Sequence, residues 1–168
     1  MYKNSALLII DVQNGYINQH TKHIPAFVEK EQEKYELVWA TKLEYSAKSP
    51  FINIRKLNGF RDIENPTELA FNIRPDAKIF IKHGYSAVSK EFLQELSGHG
   101  ITTIDLVGVD TDQCVLATSL GLFDMSITPK IIVDGCASTG GTEAHKAGLY
   151  ILRRALGSQN MIYRNSLD

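Results

Sequence analysis

The sequence predicts an α/β fold in three layers: a Rossmann-like, mostly parallel sheet of about six strands with helices on both faces. Leu7-Leu8-Ile9-Ile10 and Ile79-Phe80-Ile81 are short continuous apolar runs, the pattern of strands buried on both sides. From Ala6 onward such runs alternate with helix-like segments, as βαβ units require. The 168 residues carry no repeat, low-complexity tract or interdomain linker, so a single domain is expected over 1–168.

Strands are expected near 6–11, 51–55, 78–82, 103–109, 130–134 and 160–163. A first helix is expected within 25–48, where Tyr35, Val38, Trp39, Leu43 and Ser46 recur at helical spacing. The segment 89–98 opens on Ser89 as N-cap, turns Phe92, Leu93 and Leu96 inward and ends at Gly98 or Gly100. A helix over 112–124 follows, with Thr111 as its N-cap. The last helix, 141–157, begins after Gly140-Gly141 and closes at Gly157. The irregular stretches Gly15 to Pro25 and Lys56 to Pro75 are expected to wall a pocket.

Composition narrows the partners. Eighteen Lys and Arg against 19 Asp and Glu give a net charge of −1, and the basic residues are scattered. That pattern argues against nucleic acid and for a small-molecule substrate. No stretch approaches the roughly 20 apolar residues of a membrane span, and the N-terminus runs directly into a strand, so a cytoplasmic protein without membrane association is expected. Two cysteines, Cys114 and Cys136, are too few for a disulfide framework.

Three strand-like runs deliver chemistry at or just past their ends: Asp11, Lys82 and, beyond Ile104 to Val109 and a short turn, Cys114. In open parallel sheets the carboxyl ends of the strands share one rim, so these residues can converge. Cys114 would occupy the first turn of a helix, where the dipole favours thiolate and free backbone amides can receive an oxyanion. An ammonium directly after Ile79-Phe80-Ile81 must snorkel or find an anion. The three suit a division of labour in which Asp11 takes the thiol proton, Lys82 balances charge and Cys114 attacks a carbonyl carbon.

These pieces resemble the isochorismatase-like cysteine hydrolases, the superfamily that holds nicotinamidases, N-carbamoylsarcosine amidohydrolases and isochorismatase. The resemblance rests on an ordered set: Leu7 to Gln13, Lys82 with Tyr85-Ser86-Ala87, Gly108 to Val115, and Asp134 to Ser138. It implies Asp11, Lys82 and Cys114 as the catalytic triad, the backbone amides of Asp110 and Cys114 as oxyanion hole, and a cis peptide between Val109 and Asp110. It also implies that Gln13 lines the mouth of the pocket beside Tyr16, and that the protein forms a homodimer or homotetramer. Among the loop residues, Tyr16, Phe60 and Arg61 are candidates to contact an aromatic or acidic substrate group.

One departure bears on cofactors. Nicotinamidases of the superfamily bind a metal through an Asp-x-His pair after the second strand plus a further histidine, whereas this chain is expected to place Asn53-Ile54-Arg55 there. No metal and no other cofactor is therefore expected. His20 and His23 fall in a loop, His83 is expected to point away from the pocket, and His145 sits in the last helix. The sequence thus predicts a metal-independent cysteine hydrolase of a small amide or related C–N bond, working through a thioester acyl-enzyme. The alternatives are vinyl-ether hydrolysis of the isochorismatase type and a non-catalytic small-molecule sensor. A Rossmann-type nucleotide binder is disfavoured, because Asp11-Val12-Gln13-Asn14-Gly15 replaces the glycine-rich loop.

Overall fold

Six parallel strands form one sheet in the order β3-β2-β1-β4-β5-β6. The computed structural model describes residues 2–46, 49–57 and 63–164, with side chains from residue 6 onward. The strands are β1 (Tyr2–Ile10), β2 (Tyr35–Leu43), β3 (Lys78–Lys82), β4 (Thr103–Val109), β5 (Thr128–Ala137) and β6 (Met161–Ile162). The helices are α1 (Ile24–Gln32), α2 (Pro50–Asn53), α3 (Lys90–Gly98), α4 (Leu116–Asp124) and α5 (Thr142–Leu156).

Alternation along the strands builds a core on each face of the sheet. Leu8 and Ile10 of β1 join Trp39, Phe80, Leu106, Phe92 of α3, Leu122 of α4 and Leu152 of α5. Leu7 and Ile9 point the other way, to Val38, Ala40, Val107 and Ile132 with Ile24 and Val28 of α1. Ser89 caps α3 as expected, its Oγ accepting from the Phe92 amide at 3.1 Å.

Two expected elements are exchanged. The helix expected within 25–48 ends at Gln32, and residues 35–43 form β2 instead. Val38, Trp39, Ala40 and Thr41 are all buried, and successive residues serve opposite cores, as a central strand requires and one helical stripe does not. The helical spacing of Tyr35, Val38, Trp39 and Leu43 is thus a by-product of a strand apolar on both sides. Conversely, the strand expected at 51–55 is the short helix α2. Its start signal is in the sequence, with Pro50 in the first turn and the Ser49 side chain accepting from the Phe51 amide. The strand count survives the exchange, but the loop after the second strand now reads Glu44-Tyr45-Ser46, not Asn53-Ile54-Arg55.

The order of strands places a switch point between β1 and β4, since the chain builds outward to β3 and then returns to the other side of β1. At such a point the loops diverge and leave a crevice beyond the strand ends. Gly108 lets the two strands close there: it lies at φ +125°, and a Cβ would stand 2.1 Å from the Ile10 carbonyl oxygen. Gly108→Ala is expected to lower the unfolding free energy by about 3 kcal/mol, from backbone strain plus overpacking. A urea midpoint matching the parent's would count against this role.

Candidate active site

The switch point gathers Asp11, Lys82 and Cys114. Asp11 follows β1 directly in the left-handed backbone region, φ +52°. Thr41 of β2 holds it there from both sides: the Asp11 amide donates to Thr41 Oγ1 at 3.1 Å, and that hydroxyl donates to Asp11 Oδ1 at 2.6 Å. Lys82 ends β3, with its Nζ 2.7 Å from Asp11 Oδ2 and 3.3 Å from Cys114 Sγ.

The ammonium has three donors, and Gly84 O at 2.8 Å, Tyr85 O at 3.1 Å and Cys114 Sγ take them. Its approach to Asp11 is therefore ionic, and Asp11 Oδ2 accepts no hydrogen bond. A carboxylate oxygen beside a thiol, ion-paired to Lys82 but accepting no hydrogen bond, is the acceptor that a proton leaving sulfur needs.

Cys114 stands in a wide turn over Thr111–Val115 that leads into α4, closed by the Val115 amide donating to Asp110 O at 3.1 Å. The cap position belongs to Asp110, not Thr111 as expected. Asp110 spends its carboxylate on the neighbouring loop, accepting from the Thr139 amide at 2.7 Å, Thr139 Oγ1 at 2.6 Å and Gln113 Nε2 at 3.2 Å. Thr111 Oγ1 lies 2.8 Å from His145 Nδ1 of α5, which ties the back of the turn to that helix. Gly148 allows the contact, because a Cβ there would stand 2.7 Å from the Asp112 amide nitrogen. The Val109–Asp110 peptide is cis, as the resemblance implies.

The thiol's electrostatics differ from the expectation of a resting thiolate. Burial pushes the Cys114 thiol well above its ordinary range, the Asp11 carboxylate adds to the rise, and Lys82 opposes it. A helix terminus and one ammonium do not outweigh a site only 7% exposed. Cys136, fully enclosed, is likewise pushed up to about 12 by burial.

A cavity of about 220 Å³ opens onto this group, lined by Asp11, Cys114 and Asp110 and walled by Tyr16, Tyr45, Phe51, Tyr85 and Arg55. Tyr16 is a wall as expected, its hydroxyl in close contact with that of Tyr45. Gln13 is not. It is fully buried away from the cavity, where Nε2 donates to Leu43 O and Thr67 O and Oε1 accepts from the Leu43 amide. It staples the end of β2 and the segment around Thr67 to the loop after β1, because a buried amide must satisfy its donors and acceptor wherever carbonyls and amides are nearest. Phe60 and Arg61 lie outside the described residues.

Sequence reasoning missed Thr41 in β2, Tyr45 and Arg55 in the loops just after β2 and α2, and Thr139, which lacks a local signal. Thr41→Val keeps the shape and removes both bonds to Asp11. Turnover is expected to fall about 10- to 100-fold through kcat, with KM little changed, since misplacing one reacting group costs rates of that order. An unchanged kcat would remove Thr41 from any positioning role.

Among the described residues, no group of three or more His, Cys, Asp or Glu side chains could hold a metal ion. After β2 stand Glu44, Tyr45 and Ser46 in place of an Asp-x-His pair, and His83 Nδ1 lies 3.0 Å from the Glu44 carbonyl oxygen. No described helix is long and apolar enough to cross a membrane.

The isochorismatase domain family matches residues 5–159. N-carbamoylsarcosine amidase from Thermoplasma acidophilum superposes with a TM-score of 0.77 at 19% identity, covering 98% of this chain and 97% of that one. Pyrazinamidase/nicotinamidase from Streptococcus mutans gives 0.75 at 21%, covering 94% and 99%. The zinc complex of pyrazinamidase from Pyrococcus horikoshii gives 0.73 at 20%, covering 95% and 98%. At such identities the likeness is one of fold. No curated protein matches the chain in sequence.

Proposed function

We propose that this chain, which belongs to the isochorismatase domain family, is a cysteine hydrolase of a small amide or related C–N bond that works without a metal. The observation that carries the reading is the placement of one ammonium, Lys82 Nζ, against both Asp11 Oδ2 and Cys114 Sγ. A ligand sensor has no chemical use for an acid, an amine and a thiol brought within one hydrogen-bonding radius.

This geometry supports the following steps. As Cys114 Sγ bonds to the amide carbon, its proton passes to Asp11 Oδ2 and the carbonyl electrons move to oxygen. The amides of Asp110 and Cys114 receive that oxyanion. Collapse breaks the C–N bond, and the leaving nitrogen departs with the proton held by Asp11, giving a thioester on Cys114. Water then adds to the thioester while Asp11 takes its proton. Asp11 returns that proton to sulfur as the C–S bond breaks and the acid leaves. Throughout, Lys82 offsets the negative charge that develops on sulfur.

A panel of primary amides, ureido acids and a vinyl ether tests the reading, scored by ammonia release, by vinyl-ether cleavage and by the mass of the Cys114 peptide after acid quench. Ammonia release with an acyl adduct on Cys114 is the expected result. Cleavage of a vinyl ether with no adduct would replace amide chemistry by the isochorismatase type.

A further inference from the structure

We propose that Arg55 anchors an anionic group of the substrate, so that the amide attacked by Cys114 carries a carboxylate or an equivalent anion at its far end. This rests on the amidase reading and names its substrate class.

Arg55 follows α2 and lines the same cavity as Cys114. Its Nη1 donates to Gln113 Oε1 at 3.0 Å, on the residue next to Cys114. Among the described residues this is its single side-chain hydrogen bond and it joins no ion pair, although a guanidinium carries five donors in a planar fork. Both carboxylates of the cavity are already engaged. Asp11 is held by Thr41 and Lys82, and Asp110 accepts three bonds from Thr139 and Gln113. Arg55 is therefore the one cation among the described lining residues. Its charge reaches Asp110 only through space and across Gln113, which leaves the rest of its fork without a carboxylate bound to it among the described residues. The partner that such a fork matches best is a planar carboxylate bound through two parallel bonds.

The rest of the wall agrees. Tyr45 meets Phe51 edge to face at 5.2 Å between centroids, and Phe51 meets Tyr85 at 4.7 Å. With Tyr16 these rings give the cavity that Cys114 and Arg55 share an apolar wall. The cavity, at about 220 Å³, is smaller than the roughly 300 Å³ where pockets for drug-sized ligands begin. It suits a compact molecule with an amide at one end and an anion at the other.

The test measures binding to the full-length Cys114→Ala protein by isothermal titration. Two pairs serve as probes, each an anionic amide with a neutral analogue that lacks the carboxylate: succinamate with butyramide, and 4-carbamoylbenzoate with benzamide. β-Alaninamide supplies an ammonium in place of the carboxylate. At least one anionic amide should bind about 10- to 100-fold tighter than its neutral partner, the range expected of hydrogen bonds to a charged group. Arg55→Met should remove that preference, Arg55→Lys should keep part of it, and Arg55→Glu should turn it toward β-alaninamide. Arg55 is exposed, so these variants should melt with the parent. No preference in either pair, no binding of either acid, or a preference that survives Arg55→Met would overturn the proposal. Because the readout is binding, it separates from the amidase reading. An Arg55-dependent preference with no ammonia release by the wild type keeps the anion site and overturns the amidase. Ammonia release with no dependence on Arg55 does the reverse.

Discussion

Cys114→Ala is expected to lower amide turnover by at least about 10⁴-fold, and Asp11→Asn by about 10³-fold or more, as removal of a nucleophile or its base does elsewhere. Loss of activity in both would not by itself separate two models of the thiol, but its reactivity would. In one, sulfur rests as a thiolate and Asp11 acts only later. In the other, favoured by the geometry, sulfur rests protonated and Asp11 takes the proton as sulfur attacks. Burial first, then the Asp11 charge, raises the thiol, and Lys82 lowers it. The sign of each substitution follows. Asp11→Asn removes a group that disfavours thiolate, so alkylation of Cys114 by iodoacetamide at neutral pH should become faster even as turnover collapses. Lys82→Met removes the group that favours thiolate, so alkylation should become slower. The parent should react below the rate of a free thiol of pKa about 8.5. Asparagine and methionine are close in size to the residues they replace, which should hold access roughly constant across the comparison, and glutathione serves as external reference because Cys136 is sealed in the core. Slower alkylation in Asp11→Asn would mean that the carboxylate maintains a resting thiolate, and the proton transfer proposed for the first step would fall.

What could be read from the sequence was the part that depends on one strand at a time. Leu7 to Ile10 and Ile79 to Ile81 announce buried strands whatever their neighbours are, and the residues at or beyond their ends go to the carboxyl rim of a parallel sheet. Asp11 and Lys82 were therefore legible, and so was Cys114, because a turn between a strand and a helix is a local feature. The exchange of β2 and α2 shows where this logic stops. Residues 35–43 carry apolar groups at both period two and helical spacing, and the choice is made by burial on two faces, which is a property of the assembled sheet. Thr41, Tyr45 and Arg55 went unseen with it. Gln13 illustrates a different limit. An amide near a pocket in sequence can turn into it or away, and here the free carbonyls of Leu43 and Thr67 decide.

Lys82→Met is expected to destabilise the fold by about 3–5 kcal/mol, the usual cost of breaking a buried ion pair from one side. For a chain of this length that is a fall in melting temperature of roughly 10 °C. The cause is what remains: Asp11, 1% exposed, loses its counter-ion, and the Gly84 and Tyr85 carbonyls lose their donor. Asp11→Asn should cost less, because Lys82 keeps both carbonyls and the asparagine retains an oxygen for Thr41. The double variant Asp11→Asn with Lys82→Met should then be more stable than Lys82→Met alone, since the orphaned charge has gone with its partner. Urea unfolding of the four proteins measures the coupling directly. A double variant less stable than either single one would show that the pair is held by packing and not by charge. If the stability returns while turnover stays absent, folding and chemistry make separate demands on the same two residues. A neutral pair satisfies the first. On the proposed mechanism, only an acid that can exchange a proton with sulfur beside a fixed ammonium satisfies the second.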